Sequence, residues 1–285
     1  MTVDLQSSIA RRTRLLAEVP PFRPVVVRLM KLVQSSPQSL AEIVALLRAD
    51  AVLTGEVLRL ANSSLFATRC EIRNVMQAVA FLGLDRINAM VLTIAIRGLI
   101  DTRRGPLTHS CWRHNLATAL ICQRLSAAAH LPAETCYVAG LIHDIGRLAL
   151  LRVFPDYERA ITLAELSGDD LLAAERDLFE IDHAEAGRWL LSQWGCPIEL
   201  QNVAAEHESP PKSGTCDGPL ISLVHAASQL ADLMKMSVFP SAARADLPEI
   251  AYGLPPLAQD MVLAGFAEIA EWVVTEANGI ELSLS

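Results

Sequence analysis

Ala139-Gly-Leu-Ile-His143-Asp144-Ile-Gly-Arg147-Leu-Ala-Leu-Leu151 is the stretch on which the fold turns. It is an apolar run with a histidine and an aspartate side by side in its middle, and it reads as part of one helix from Pro132 to Val153. Neighbouring helix positions point about 100° apart, so one of the two cannot turn to solvent without the other staying near the core. Buried polar groups are costly unless they are paired or hold a metal. The economical reading is a polar centre inside the fold, with a divalent metal gripped by an imidazole nitrogen and a carboxylate oxygen.

Outward from that stretch the chain keeps one character. Of its 285 residues 52% are hydrophobic and only 5% aromatic, so its apolar material is Leu, Ala, Val and Ile, which suits helices packed on helices. A charged fraction of 20% excludes a disordered chain. No apolar run reaches the eighteen or so residues of a membrane span. The N-terminus lacks the apolar core and cleavage site of a signal peptide. Cys70, Cys111, Cys122, Cys136, Cys196 and Cys216 form no C-x-x-C pair. They read as reduced thiols, and the expectation is a cytoplasmic protein with no membrane partner.

The net charge of −8 is unevenly spread. Residues 1–100 hold twelve Lys/Arg against seven Asp/Glu, and the remainder twelve against twenty-five. A basic lobe could mark a nucleic-acid surface, but the overall acidity repels phosphate, and mutual attraction of two lobes explains the asymmetry more simply. Ser39–Ser64, two short helices around Asp50, resembles a helix-turn-helix only loosely, with Arg59 the one strong contact on its second helix, so nucleic acid is not the expected partner.

Helical patterns run throughout and nothing alternates as a strand. The expected class is all-α, a two-lobed helical bundle divided at Asp101-Thr-Arg-Arg-Gly-Pro106 into lobes 1–105 and 106–285. Expected elements include Val25–Leu32, a helix opened by the Ser39-Leu-Ala-Glu42 capping box, one opened by Asp50 or Thr54, and Val75–Leu82 ending at Gly83. Ile87–Leu99, His109–Ala129, Pro132–Val153, Asp182–Trp194 and Ile198–Glu208 follow. Ser209–Pro219 reads as a loop, and Leu220–Met236 and Pro256–Ala277 as the closing helices. The last is apolar enough to pack on its own domain or on a second subunit, so a homodimer is an expectation.

Beside His143 and Asp144, the candidate metal ligands are His114, His183 behind its N-cap Asp182, and His207 at a helix end. Imidazole with carboxylate suits Fe, Mn, Zn or Ni, as one ion or two. His109 and His130 read as surface residues, while His225 and Asp232 share one face near the chain's end.

At this point the chain resembles a known family. Gly140-Leu-Ile-His-Asp-Ile-Gly-Arg147, with His114 before it and Asp182-His183-Ala-Glu-Ala-Gly187 after it, is similar to the HD superfamily of metal-dependent phosphohydrolases, and more closely to HDOD, the HD-related output domain. Val19-Pro-Pro-Phe-Arg-Pro-Val-Val-Val-Arg-Leu29, Val57-Leu-Arg-Leu-Ala-Asn-Ser-Ser64, Ala78-Val-Ala-Phe-Leu-Gly-Leu-Asp-Arg86 and Trp189-Leu-Leu-Ser-Gln-Trp-Gly-Cys-Pro197 extend the resemblance over roughly residues 15–235. It implies an HD-like C-terminal lobe and a regulatory role in bacterial signal transduction through protein partners. Catalytic HD-GYP relatives carry a lysine after the HD pair where this chain has Arg147, which cannot supply a compact, tunable ammonium. Their His-His-Glu and Gly-Tyr-Pro signature is absent, and the superfamily's final aspartate has no clear match, with His225 and Asp232 as substitutes. The resemblance therefore implies a degenerate metal site kept for binding. The alternative is a phosphohydrolase of nucleotides or cyclic dinucleotides, in which Asp144 holds the metal and Arg147 cradles phosphate.

Overall fold

The computed structural model describes residues 14–34, 40–62, 71–99, 105–167, 170–209, 218–239 and 245–284. Besides a helical end at residues 14–16, they hold fifteen helical spans, the last kinked at Gly265 (φ −124°, ψ 17°), and no strand. The first group is α1 (Pro24–Gln34), α2 (Leu40–Arg48), α3 (Ala51–Ala61), α4 (Val75–Leu82) and α5 (Leu84–Leu99). The second runs α6 (Pro106–Leu125), α7 (Ala133–Ile142), α8 (Ile145–Val153), α9 (Tyr157–Ser167), α10 (Leu171–Phe179), α11 (His183–Gln193), α12 (Ile198–Glu206), α13 (Gly218–Leu233), α14 (Leu247–Tyr252) and α15 (Pro256–Leu284). No single helix among the described residues is long and apolar enough to cross a membrane.

Local chemistry sets many of these boundaries. Asp50 caps α3 by accepting the Leu53 amide and also pairs with Arg23 at 3.0 Å, which ties the approach to α1 to the start of α3. Asn74 caps α4, and Gly83 ends it at φ 82°, a left-handed conformation that glycine adopts without strain. The chain bends by 117° there, so α5 folds back with Ile87, Met90, Leu92 and Ile96 buried. Helix α6 is the axis of the second group, packed by α7, α13 and α15.

Two glycines let the helices around the His-Asp pair approach closely. A Cβ on Gly140 would lie 2.7 Å from the Ala119 Cα of α6. A Cβ on Gly146 would meet the His183 carbonyl oxygen at 1.8 Å and the Gly187 nitrogen at 2.6 Å, so α8 and α11 cross backbone to backbone.

This packing corrects the expected single helix from Pro132 to Val153. The run breaks after Ile142, and Asp144 (φ −107°, ψ 28°) leaves helical geometry before α8 begins. Gly140 lies against α6 and Gly146 against α11, one on each side of the turn at His143–Asp144. The last helix also differs from expectation, continuing through Gly279 to Leu284 with Val273, Ala277 and Ile280 buried. Helix α14 is not among the expected elements. The Ser39 cap, Cys70, Cys216, residues 101–104 and residues 210–217 fall outside the described residues.

Gly146→Ala is expected to destabilise the protein by roughly 3 kcal/mol, because the added methyl meets backbone rather than a side chain that can move. Gly55→Ala, with nothing within 4 Å of its Cβ, should stabilise α3 by about 0.5–1 kcal/mol. Chemical denaturation of the two variants beside the parent checks both signs.

Candidate metal centre

The site is assembled from helix ends. Asp182 caps α11 by accepting the Glu185 amide and is itself held by Arg176 Nε at 2.6 Å. This fixes His183 in the first turn, where its backbone N–H and its Nδ1 both reach Glu175 Oε2, at 2.8 and 2.7 Å. Glu175, on α10, is fully buried and also accepts the Tyr157 hydroxyl. A carboxylate at that depth must be surrounded by donors.

Arg147 completes the network. Its guanidinium donates from Nε to Asp144 Oδ2 at 2.7 Å and from Nη1 to Glu175 Oε1 at 3.3 Å. Its Nη2 lies 3.1 Å from His183 Nε2 and 3.6 Å from Glu208 Oε1. Burial alone would push the Asp144 carboxyl up, but Arg147 and then His183 overturn it and hold Asp144 at about 2. Burial and Arg147 push the His183 imidazole down, yet Glu175 and Asp144 outweigh them and take it up to about 10.

One donor atom from each of Asp144, His183 and His207 lies within 4.8 Å of the others, and all three residues are buried. Asp144 Oδ1 has no hydrogen-bond partner among the described residues. The His207 Nδ1 donates to the Ala204 carbonyl at 3.0 Å, which leaves its Nε2 lone pair free. Asp144 Oδ1 and His207 Nε2 fit one divalent ion of the N/O-binding kind, and His183 joins them only by giving up to the ion the proton that Glu175 and Asp144 hold on it. An ion there would polarise a bound oxygen and acidify a bound water.

The other expected ligands stand around this cluster rather than in it. His143 donates through Nδ1 to Gly140 O at 2.6 Å, and its ring centre lies 4.9 Å from that of His207 and 5.4 Å from that of His114. His114 has both ring nitrogens engaged, Nδ1 near Met236 O (3.1 Å) and Asp232 (3.4 Å), and Nε2 with Ser228 Oγ (3.1 Å). His225 Nδ1 donates to the His207 carbonyl at 2.6 Å. All of these face a cavity of about 370 Å³ whose wall also includes Glu165, Asp170 and Phe239.

Three members of the centre escaped the sequence reading. Glu175 and Tyr157 sit on helices with no motif to mark them, although a mid-helix glutamate eight residues before a motif histidine is a usable sign. Glu208, beside His207, places Oε1 3.2 Å from His183 Nε2 and 3.8 Å from His207 Nε2.

The family model of the HDOD domain matches residues 19–210. The chain belongs to the HDOD family. A crystal structure of an HDOD domain protein of unknown function from Geobacter sulfurreducens superposes with a TM-score of 0.77 at 24% identity, covering 96% of this chain and 98% of that one. A Marinobacter aquaeolei VT8 protein, provisionally named for signal transduction, gives 0.78 at 21% identity over 97% of this chain and 65% of its own. Among curated proteins an uncharacterized protein of Treponema pallidum (strain Nichols) is 24% identical over 233 residues, 80% of this chain. This HDOD chain thus spans 44% of that relative's length. These likenesses establish the all-α HDOD fold.

The buried histidines make stability depend on pH. Burial, with the His207 charge, lowers His143 to about 4, and burial likewise lowers His114 and His207. His143 is neutral when folded and protonates more readily when unfolded, so its contribution is full above about 6.5 and is lost as pH falls toward 4, and the lowered His114 and His207 act in the same direction. His183, raised, keeps its contribution below 6.5 and loses it only as pH climbs toward about 10. Denaturation between pH 7 and 4 should lose on the order of 3 kcal/mol through His143 alone, and His143→Asn should flatten that slope.

Proposed function

We propose that this HDOD protein is a cytoplasmic bacterial signalling regulator that holds a divalent cation of the Fe, Mn, Zn or Ni group at Asp144, His183 and His207. It acts through protein partners, without turning over a substrate. The observation that carries this reading is the charge of the cavity wall. Asp144, Glu165, Asp170, Glu208 and Asp232 line it, and among the described lining residues Arg147 is the one Lys/Arg cation. That guanidinium is committed to Asp144 and Glu175, so it is not free to grip a phosphate. Such a wall draws cations and repels nucleotides. Ser228 of α13 puts a hydroxyl, not a carboxylate, 3.1 Å from His114 Nε2 of α6, which fits a site that has lost part of its catalytic set.

A second reading, a phosphohydrolase of nucleotides or cyclic dinucleotides, draws on one observation. The unpartnered Asp144 Oδ1 beside two imidazoles is the arrangement a hydrolytic metal would use. It requires a bound ion to overcome the repulsion of the wall.

Elemental analysis of protein purified without affinity-tag metal, with His207→Ala beside it, separates the readings when paired with hydrolysis assays. The expected result is a single ion per chain, lost in the variant, and no turnover of bis-(p-nitrophenyl) phosphate or a cyclic dinucleotide. Turnover abolished by Asp144→Ala would establish the second reading in place of the first.

A further inference from the structure

A second cavity, of about 220 Å³, opens where α3 and α5 meet α6, α7 and α15. It shares no lining residue with the metal-centre cavity. Its floor is apolar and buried, built from Leu60, Met90, Leu120 and Ile280. The Thr93 and Tyr137 hydroxyls meet there at 2.9 Å, so these floor hydroxyls are partnered to each other. Its upper wall is carried by Glu134, Glu276 and Trp272, with Arg86 and Gln123 beside them.

Glu134 is the informative residue. Its Oε1 accepts Gln123 Nε2 at 3.2 Å and lies 3.9 Å from Arg86 Nε. Its Oε2 is buried and has no hydrogen-bond partner among the described residues. An unmet carboxylate oxygen in a partly apolar cavity is an acceptor set for a donor that the chain does not itself provide. Burial pushes the Glu134 and Glu276 carboxyls up, the direction that an added positive charge would reverse. Trp272 holds the Arg124 guanidinium over one face of its ring, Cζ 5.6 Å from the ring centre.

We propose that this cavity binds a small organic cation, an ammonium or guanidinium head on an apolar body of roughly ten non-hydrogen atoms, below drug size. The body enters among Met90, Leu120 and Ile280, and the head donates to Glu134 Oε2 with Glu276 and Trp272 around it. Among the described lining residues an anion meets two carboxylates against Arg86, whose side chain is 56% exposed and whose long ion pair is weak, while the Arg124 guanidinium is held over Trp272. A neutral apolar molecule leaves Glu134 Oε2 unmet. Because α3 and α5 form one wall and α6, α7 and α15 the other, the ligand bridges the two helix groups and stabilises their association.

The test uses the full chain with phenethylammonium as probe, and phenylacetate and 2-phenylethanol as charge-reversed and neutral controls of similar shape. Calorimetry and thermal denaturation should show millimolar binding and a raised melting temperature for the ammonium alone, with affinity lowered about tenfold or more in Glu134→Gln. Glu276→Gln, at the more exposed wall, should weaken binding in the same direction and serves if Glu134→Gln fails to fold. Absence of binding by the ammonium, equal binding of phenylacetate, or undiminished affinity in the folded variants would overturn the proposal. Since the probe cation could also enter the acidic metal-centre cavity, undiminished affinity in the variants would place it there.

Discussion

A guanidinium leaves water only in company, and Arg147 is buried to 3% exposure. Its charge calls in Asp144 from its own turn, Glu175 from α10 and, through Glu175, the backbone and ring of His183 and the hydroxyl of Tyr157. Removing one partner from such a set leaves an uncompensated charge, which costs about 3–5 kcal/mol. The local order of α8 through α11 follows from this demand: two carboxylates must converge on one side chain, and the helices that carry them must lie within reach. The near-contact of Gly146 with α11 brings His183, which hydrogen-bonds Glu175, against the same stretch of chain.

The same network limits the chemistry of the centre. Asp144 has two oxygens with different fates, Oδ2 held by Arg147 and Oδ1 unpartnered among the described residues. One carboxylate thus serves a structural cation and leaves a single atom for a metal. The HDOD centre is acidic in total but only partly available, which suits retention of an ion better than handling of an incoming anion.

Much of this was readable from the chain, for reasons that differ from residue to residue. Asp50, Gly83 and Asp182 announce helix ends because capping is decided within a few residues, and all three act as caps. His143, Asp144, His183 and His207 stood out because polar groups interrupt apolar helices. The break between α7 and α8 was not readable, since no glycine or proline stands at His143–Asp144 itself. Glu175 was hidden because its role depends on a contact 28 residues away in sequence, with Arg147. The continuation of α15 past Gly279 depends on Ala277 and Ile280 finding buried places, which a local glycine cannot reveal.

Helix α15 packs on α3 from the first group as well as on α6 from the second. As the chain leaves the ribosome, the helices it joins are all synthesised before it, and domains tend to fold as they emerge. Until residues 256–284 arrive, the apolar faces of α3 and α6 that this helix covers are bare. The order of synthesis therefore leaves the two helix groups without the helix they share until after the histidines of the centre have been made.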